Sequence, residues 1–292
     1  KRRNMLGVFN VLKPTGWTSS DVVVKVRHIL REYTGDKKIK VGHLGTLDPA
    51  GSGVLPVCFG AATKLFDYYV SMDKIYRTTF TFGKSTDTLD AYGVVTESGG
   101  RVPSICEITA KIGMFLGNIM QIPPKFSRIS VNGERACDAA RKGKDIQIKP
   151  REVSIYAIEI LSFDDGVLAL DIHCSGGTYI RSICRDLAQS LGTCAYMSSI
   201  IRLQNKSFRI ENAVTLDELK NDIERSTISL DKLFCDMPKV NIAGSEATKL
   251  LNGGKIGKRN IGGDYIAVID DKIFGVCVDG KDNTEVKVRL WN

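Results

Sequence analysis

Apolar positions recur along the chain with two periods, and the alternation between them marks out a mixed α/β order. Val8 to Leu12 reads as a short strand, and Thr18 to Tyr33 as a helix, because Val22, Val26, Ile29, Leu30 and Tyr33 fall on one helical face. Ser19, Ser20 or Asp21 is expected to cap that helix. Ala61 to Ser71 reads as helical. Ile75 to Phe82 alternates, which puts Tyr76, Thr78, Phe80 and Phe82 on one side of a strand. Ser104 and Glu107 have the spacing of a capping box and predict a helix ending at Gly117. Further strands are predicted at Val153–Phe163, Val167–Cys174 and Ala195–Leu203, with helices at Thr178–Leu191 and Thr215–Glu224. Consecutive strands with little helix between them favour a mixed, largely antiparallel central sheet flanked by helices over a doubly wound one.

Two segments stand apart from that body. Pro123-Pro124 opens a basic, apolar-poor stretch that reads as a protruding arm over 124–152. Composition shifts again near Pro238. Residues 239–292 carry Gly253-Gly254 and Gly262-Gly263 turns between apolar runs at Tyr265–Ile269, Ile273–Val278 and Val286–Leu290. That pattern predicts a small β-rich module, a partly closed barrel. The main body is then expected over 5–238.

At 292 residues, with 43% hydrophobic and 25% charged, the chain has the profile of a globular protein of about two domains, which sets disorder aside. No apolar run is long enough for a membrane span and no signal-peptide pattern opens the chain, so a cytoplasmic location is expected. Residues 1–4 precede the first methionine and are left out of the fold reading. Net charge is +8, unevenly spread: residues 1–42 hold ten basic against three acidic side chains, and 124–152 hold eight against four. Such concentrations suit a polyanion partner, although a solvated face would look the same.

Eight cysteines occur with no C-x-x-C pair, which argues against a zinc site and for reduced, mostly buried thiols. No H-E-x-x-H, Walker A or dinucleotide fingerprint is present, so metal, nucleotide triphosphate and nicotinamide chemistry lack support. One run does suit chemistry. Val41-Gly42-His43-Leu44-Gly45-Thr46-Leu47-Asp48-Pro49 places a single carboxylate, Asp48, on a glycine-rich turn that a bulky ligand can approach. Taken alone, such a loop reads first as a structural Asp capping a surface turn.

Five ordered motifs carry a resemblance. NVLKPTGWTSSDVV, GHLGTLDPAGSGVLP, KIYRTTFTFGKSTDTLDAYG, QIPPKFS with AARKG, and CSGGTYIRSICRDL are similar, in that order and over nearly the whole chain, to those of the TruB-type bacterial tRNA pseudouridine-55 synthases. The resemblance implies a pseudouridine synthase fold, a PUA-like module over 239–292, no cofactor and no metal. It makes Asp48 the nucleophile that forms a covalent adduct with the flipped nucleotide. Arg181 is then the arginine that holds Asp48 in its charged form. Tyr76 becomes the ring that holds the extruded uracil, with a phenol that could take a proton from the sugar.

The same resemblance makes His43, beside Gly42, the ring that fills the gap left in the RNA stack. It places Lys13, Pro14, Tyr179, Arg202 and Leu203 among the substrate contacts, and has Lys125, Arg128, Arg141 and Lys142 clamp phosphates from the arm. The expected partner is tRNA, read through the shape of its T-stem-loop and, through the C-terminal module, its acceptor stem. No obligatory protein partner and a monomer are expected. Departures from the family pattern, at Ser127-Arg128-Ile129-Ser130, Cys137, Ala50-Gly51 and Ile200-Ile201-Arg202, touch the arm and the pocket lining, not the nucleophile. Two other readings stay open: a guide-RNA-dependent, dyskerin-type catalytic subunit, and an RNA-binding or tRNA-folding module.

Overall fold

The structure is a computed structural model that describes residues 5–127, 129–131, 133–143 and 147–291, with Val131 and Arg135 described in their backbone alone. Its strands are β1 Gly7–Lys13, β2 Val41–His43, β3 Gly51–Phe59, β4 Lys74–Phe82, β5 Lys84–Thr86, β6 Val95–Ser98, β7 Gly117–Gln121, β8 Ser130–Val131, β9 Glu134–Arg135, β10 Arg151–Asp164, β11 Val167–Cys174, β12 Ala195–Asn205, β13 Phe208–Arg209, β14 Lys239–Asn241, β15 Asp264–Ile269, β16 Lys272–Asp279 and β17 Thr284–Arg289. The helices are α1 Ser19–Thr34, α2 Phe66–Val70, α3 Ile105–Ile112, α4 Ala136–Arg141, α5 Ile180–Ser190, α6 Leu216–Asn221, α7 Ile223–Ser226, α8 Leu230–Leu233 and α9 Gly244–Leu251.

A central sheet runs in the order β1-β3-β12-β4-β11-β10-β7, with β2 added to β3 and β13 to β12. Its neighbours are antiparallel except β3 and β12, which run parallel over Gly51–Gly53. The mixed, largely antiparallel sheet is therefore as the sequence implied. One apolar core joins this sheet to α1 and α5 through Val22, Val26, Leu30, Ile183 and Leu187 against Phe9, Phe80, Leu170 and Ile172. β1 lies along one edge of β3, while the other edge is divided between β12 at Gly51–Gly53 and β2 at Val57–Phe59. Residues 44–50, which carry Asp48, arch over the gap between them.

Several boundaries differ from the sequence reading, each for a local reason. Thr18 caps α1, its hydroxyl accepting from Asp21 N while Asp21 reaches back to Thr18 N. Ser19 is buried instead and hydrogen-bonds both Leu47 N and Leu47 O. The segment before Phe66 is 3-10 helix over Gly60–Leu65. The box at Ser104 and Glu107 is present, but α3 stops at Ile112 and passes through a 3-10 turn, and Gly117, at φ +84, opens β7. The helix expected over 215–224 breaks at Asp222, whose side chain caps α7.

The arm is shorter and less detached than its composition suggests. Arg151 and Glu152 belong to β10, paired with Gln121 and Met120, and Ser127, Ala136, Ala139 and Ile148 are buried. In 239–292 the three expected strands occur at nearly the expected places, joined by β14 and by α9, which the sequence reading lacked. They pair as an open β14-β15-β16-β17 sheet that no pairing among the described residues closes into a barrel. Ile266, Val276, Val288 and Leu290 of this sheet share a core with Val8, Val54, Cys58 and Leu65, so it packs directly on the β1–β3 side of the body.

Candidate active site

The loop carrying Asp48 is pinned at every turn. Leu44 N donates to Pro56 O at 2.8 Å, Gly51 N to Asp48 O at 3.0 Å, and Gly16 N to Pro49 O at 2.9 Å. From below, Arg202 donates through Nε to Val54 O at 2.6 Å, Nη1 to Thr46 O at 3.1 Å and Nη2 to Gly45 O at 3.1 Å. Arg202 thus satisfies carbonyls at the gap in the β3 edge, where a buried acceptor without a partner would be costly. Asn205 adds a bond to Leu44 O at 3.1 Å. This bracing presents Asp48 at the wall of a cleft of about 1160 Å³.

Arg181, on the first turn of α5, closes on Asp48 with Nη2 2.7 Å from Oδ2. Its Nη1 lies 3.5 Å from Asp90 Oδ2 and donates to Thr88 O at 2.9 Å, while Nη2 also donates to Phe126 O at 3.2 Å. One buried guanidinium therefore joins the Asp48 loop, the 88–90 turn and the root of the arm. Its fixed fork is what allows several partners at once. Tyr76, on β4 and opposite Arg202 in register, is almost fully buried yet lines the cleft. Burial pushes its phenol up to about 12, with the Arg202 charge and a hydrogen bond from Arg202 opposing, so the hydroxyl is protonated at neutral pH and is not a ready base.

His43, Gly42, Tyr179 and Arg141 also line the cleft, so the structure brings them together with Asp48, Tyr76 and Arg181. His43 sits edge-on to Phe66 with ring centroids 6.1 Å apart, and its Nδ1 accepts from Gly45 N at 3.3 Å. Tyr179, at the start of α5, is held by Gln121 on both its N–H and its C=O, and the Arg151 guanidinium lies 4.8 Å from its ring centre.

Other expected contacts fall elsewhere. Lys13 is fully buried and donates to Pro14 O at 2.9 Å and Trp17 O at 2.5 Å, so it cannot meet RNA directly. Burial pulls its ammonium down to about 8, against the attraction of Asp48. Arg202 is likewise buried and spent on the loop carbonyls, which corrects its reading as a substrate contact. Leu203, half-buried on β12, Pro14, exposed beyond β1, and the exposed arm residues Lys125 and Lys142 are not among the residues lining the cleft. Lys142 Nζ pairs with Glu134 at 2.7 Å, and Arg141 lies 3.6 Å from Asp138. Arg128 lies outside the described residues.

Sequence reasoning missed Asp90, although the STDTLDAYG run contains it, because its partner Arg181 is remote in the chain. Arg151 and Gln121, which hold Tyr179, were missed for the same reason. Lys74 was also missed: it is buried, donates to Tyr69 O, Val70 O and Met72 O at the end of α2, and is pulled down to about 8 by burial. No cluster able to hold a metal ion occurs among the described residues.

The fold and site together are a mixed, largely antiparallel sheet with a braced aspartate loop beside a buried arginine. The whole architecture is similar to a chain in the crystal structure of a Cbf5-Nop10-Gar1 complex, with a TM-score of 0.72 at 23% identity over 99% of this chain and 86% of that one. The TruB family pseudouridylate synthase (N terminal domain) profile matches residues 30–180. A tRNA pseudouridine synthase B of Clostridium kluyveri is 38% identical over 94% of this chain and 93% of its own length. One from Caldanaerobacter subterraneus subsp. tengcongensis is 43% identical over 85% of each. The chain belongs to the TruB family of pseudouridylate synthases, and is an isomerase.

Proposed function

We propose that the chain converts a single uridine, position 55 in the T-loop of tRNA, to pseudouridine, acting alone in the cytoplasm. The observation that carries this is the Asp48–Arg181 pair at 2.7 Å in a cleft large enough for a flipped nucleotide. The reaction breaks the N1–C1′ bond, turns the uracil, forms C5–C1′, and moves one proton from C5 to N1. It needs no redox partner and no external energy. Asp48 serves as the nucleophile that divides this exchange into two steps, attacking either the base or the sugar. Tyr76 bounds the uracil with its ring, and His43 fills the stack that the base has left.

Recognition rests on folded shape, with Arg141 and the neighbouring arm charges on backbone phosphates. Residues 239–292 act as a PUA-like module, packed on the body, that extends the contact toward the acceptor stem. The name shared by the bacterial relatives supports tRNA as the substrate. No helix among the described residues is long and apolar enough to cross a membrane.

The test is conversion of an unmodified tRNA transcript, and of an isolated T-stem-loop, by the purified chain without guide RNA, protein partner, metal or nucleotide. One pseudouridine per molecule is expected, with chelator having no effect. Asp48→Asn is expected to fold and bind tRNA while losing more than about 10³-fold in turnover. A requirement for guide RNA would transfer the assignment to a guide-dependent subunit, and binding without conversion to a binding module.

A further inference from the structure

Tyr92 stands at the rim of the cleft with 62% of its surface exposed. Single exposed aromatics need no explanation, but the backbone that carries this one is anchored by the turn between β5 and β6. Asp90 Oδ1 accepts from Tyr92 N at 3.1 Å and from Thr88 Oγ1 at 2.7 Å. Asp87 Oδ1 accepts from Val94 N and Thr88 N, each at 2.8 Å. A Cβ on Gly93 would lie 2.3 Å from Thr88 Oγ1 and 2.5 Å from Asp87 Oδ1, so the turn closes tightly on itself and a side chain there would displace the groups that hold it. Met197 N ties the turn to β12 through Leu89 O at 3.0 Å.

The anchor of Tyr92 is also part of the active site. Asp90 uses Oδ1 on Tyr92 N and turns Oδ2 to Arg181 Nη1 at 3.5 Å, and Arg181 Nη2 meets Asp48. The backbone that carries the ring is thus tied through Asp90 and Arg181 to the reacting carboxylate. Val94 and Val95, which follow closely in the chain, are exposed as well, while the charged groups of the cleft, Arg27, Arg141 and Arg151 among them, come from other segments. An uncharged aromatic ring exposed at the rim suits the flat face of a base better than a phosphate.

We propose that Tyr92 is a stacking platform for one unpaired base adjacent to the reacting uridine. The assignment rests on the function proposed above. Extruding a nucleotide strips its neighbours of a stacking partner, and a planar side chain placed beside the vacated position offsets that loss. The phenol hydroxyl has no part in this role.

The test compares Tyr92→Ala, Tyr92→Phe and Tyr92→Leu on the T-stem-loop. Tyr92→Ala is expected to raise KM between about five- and one-hundred-fold with kcat within about twofold, and to leave thermal stability unchanged because the ring is exposed. Tyr92→Phe should match the unaltered protein, and Tyr92→Leu should resemble the alanine variant, since bulk without planarity does not stack. Stem-loops with an abasic nucleotide on either side of the target then identify the partner. At one of them the unaltered protein should fall to the level of Tyr92→Ala, and Tyr92→Ala should lose nothing more. Equal KM for Tyr92→Ala, damage by Tyr92→Phe, or the absence of coupling at both abasic positions would overturn the proposal. If the unaltered protein makes no pseudouridine, the functional reading fails on its own, and the same variants are compared through the Kd of a labelled stem-loop.

Discussion

Arg181 and Asp48 share one ion pair but face different media: the guanidinium is 5% exposed and the carboxylate 38%. The cation is sunk in the wall while its anion opens to the cleft. Because the same guanidinium also serves Thr88 O, Phe126 O and Asp90, it fixes Asp48 against two separate segments of chain, the 88–90 turn and the root of the arm. Orientation is thereby set before any substrate arrives, which is the condition for electrostatic preorganisation.

Replacing Arg181 by Lys keeps the charge but loses the fork. A single ammonium cannot reach both carboxylates and both carbonyls, so Arg181→Lys is expected to lose about 10²-fold or more in kcat with a modest fall in Tm. Arg181→Met leaves Asp90 buried without its cation and should destabilise the fold by about 3–5 kcal/mol. Single-turnover rates and thermal melts read the two effects separately. Near-normal kcat in Arg181→Lys would mean that charge alone suffices.

The arm makes a graded prediction. Arg141 lines the cleft and has Asp138 only at 3.6 Å, whereas Lys142 is engaged by Glu134 at 2.7 Å and lies off the cleft. Arg141→Ala should weaken tRNA binding and lower the salt slope by about 0.7–0.9, with Lys142→Ala doing less. Turnover of bound substrate should hardly change. Equal slopes before and after Arg141→Ala would assign these charges to a solvated face.

Gly53 tests how tightly the loop platform is built. It sits at φ +101 where β3 meets β12, and a Cβ there would lie 2.4 Å from Arg202 O and 2.9 Å from Arg202 N. Gly53→Ala is expected to cost at least about 2 kcal/mol, since both backbone strain and a backbone clash must be relieved. Activity should fall further than stability explains, because the strand that shifts carries Arg202. A Tm within a degree of the unaltered protein would contradict this.

Lys13 gives a pH signature. Its folded pKa of about 8 lies below the ordinary 10.5, so between those values the unfolded chain binds more protons than the folded one. Stability relative to Lys13→Met should therefore be flat below about pH 8 and rise as pH climbs toward 10.5. Denaturant midpoints of the two proteins across that range provide the check. A flat difference would mean that Lys13 titrates normally.

Much of the local structure was written in short-range pattern. Alternation set Tyr76, Thr78, Phe80 and Phe82 on one face of β4, and the box at Ser104 and Glu107 placed a helix start, because both depend on neighbours a few residues away. Helix ends were less legible. Whether α3 continued past Ile112, or a helix ran through Asp222, was settled by packing and by a side chain that could cap as well as extend.

By itself the sequence determined which carboxylate stands on a glycine-rich loop, that the sheet is mixed and largely antiparallel, and which motifs occur in which order. These follow from periodicity, turn chemistry and residue identity along the chain. Only the tertiary structure decided that Lys13 and Arg202 look inward to carbonyls rather than outward to RNA. A basic side chain reads the same in sequence whether it meets a phosphate or a buried acceptor. Only the fold, too, brought Asp90 and Phe126 onto Arg181, since their contact depends on the β5–β6 turn, α5 and the arm converging from distant parts of the chain at one buried guanidinium.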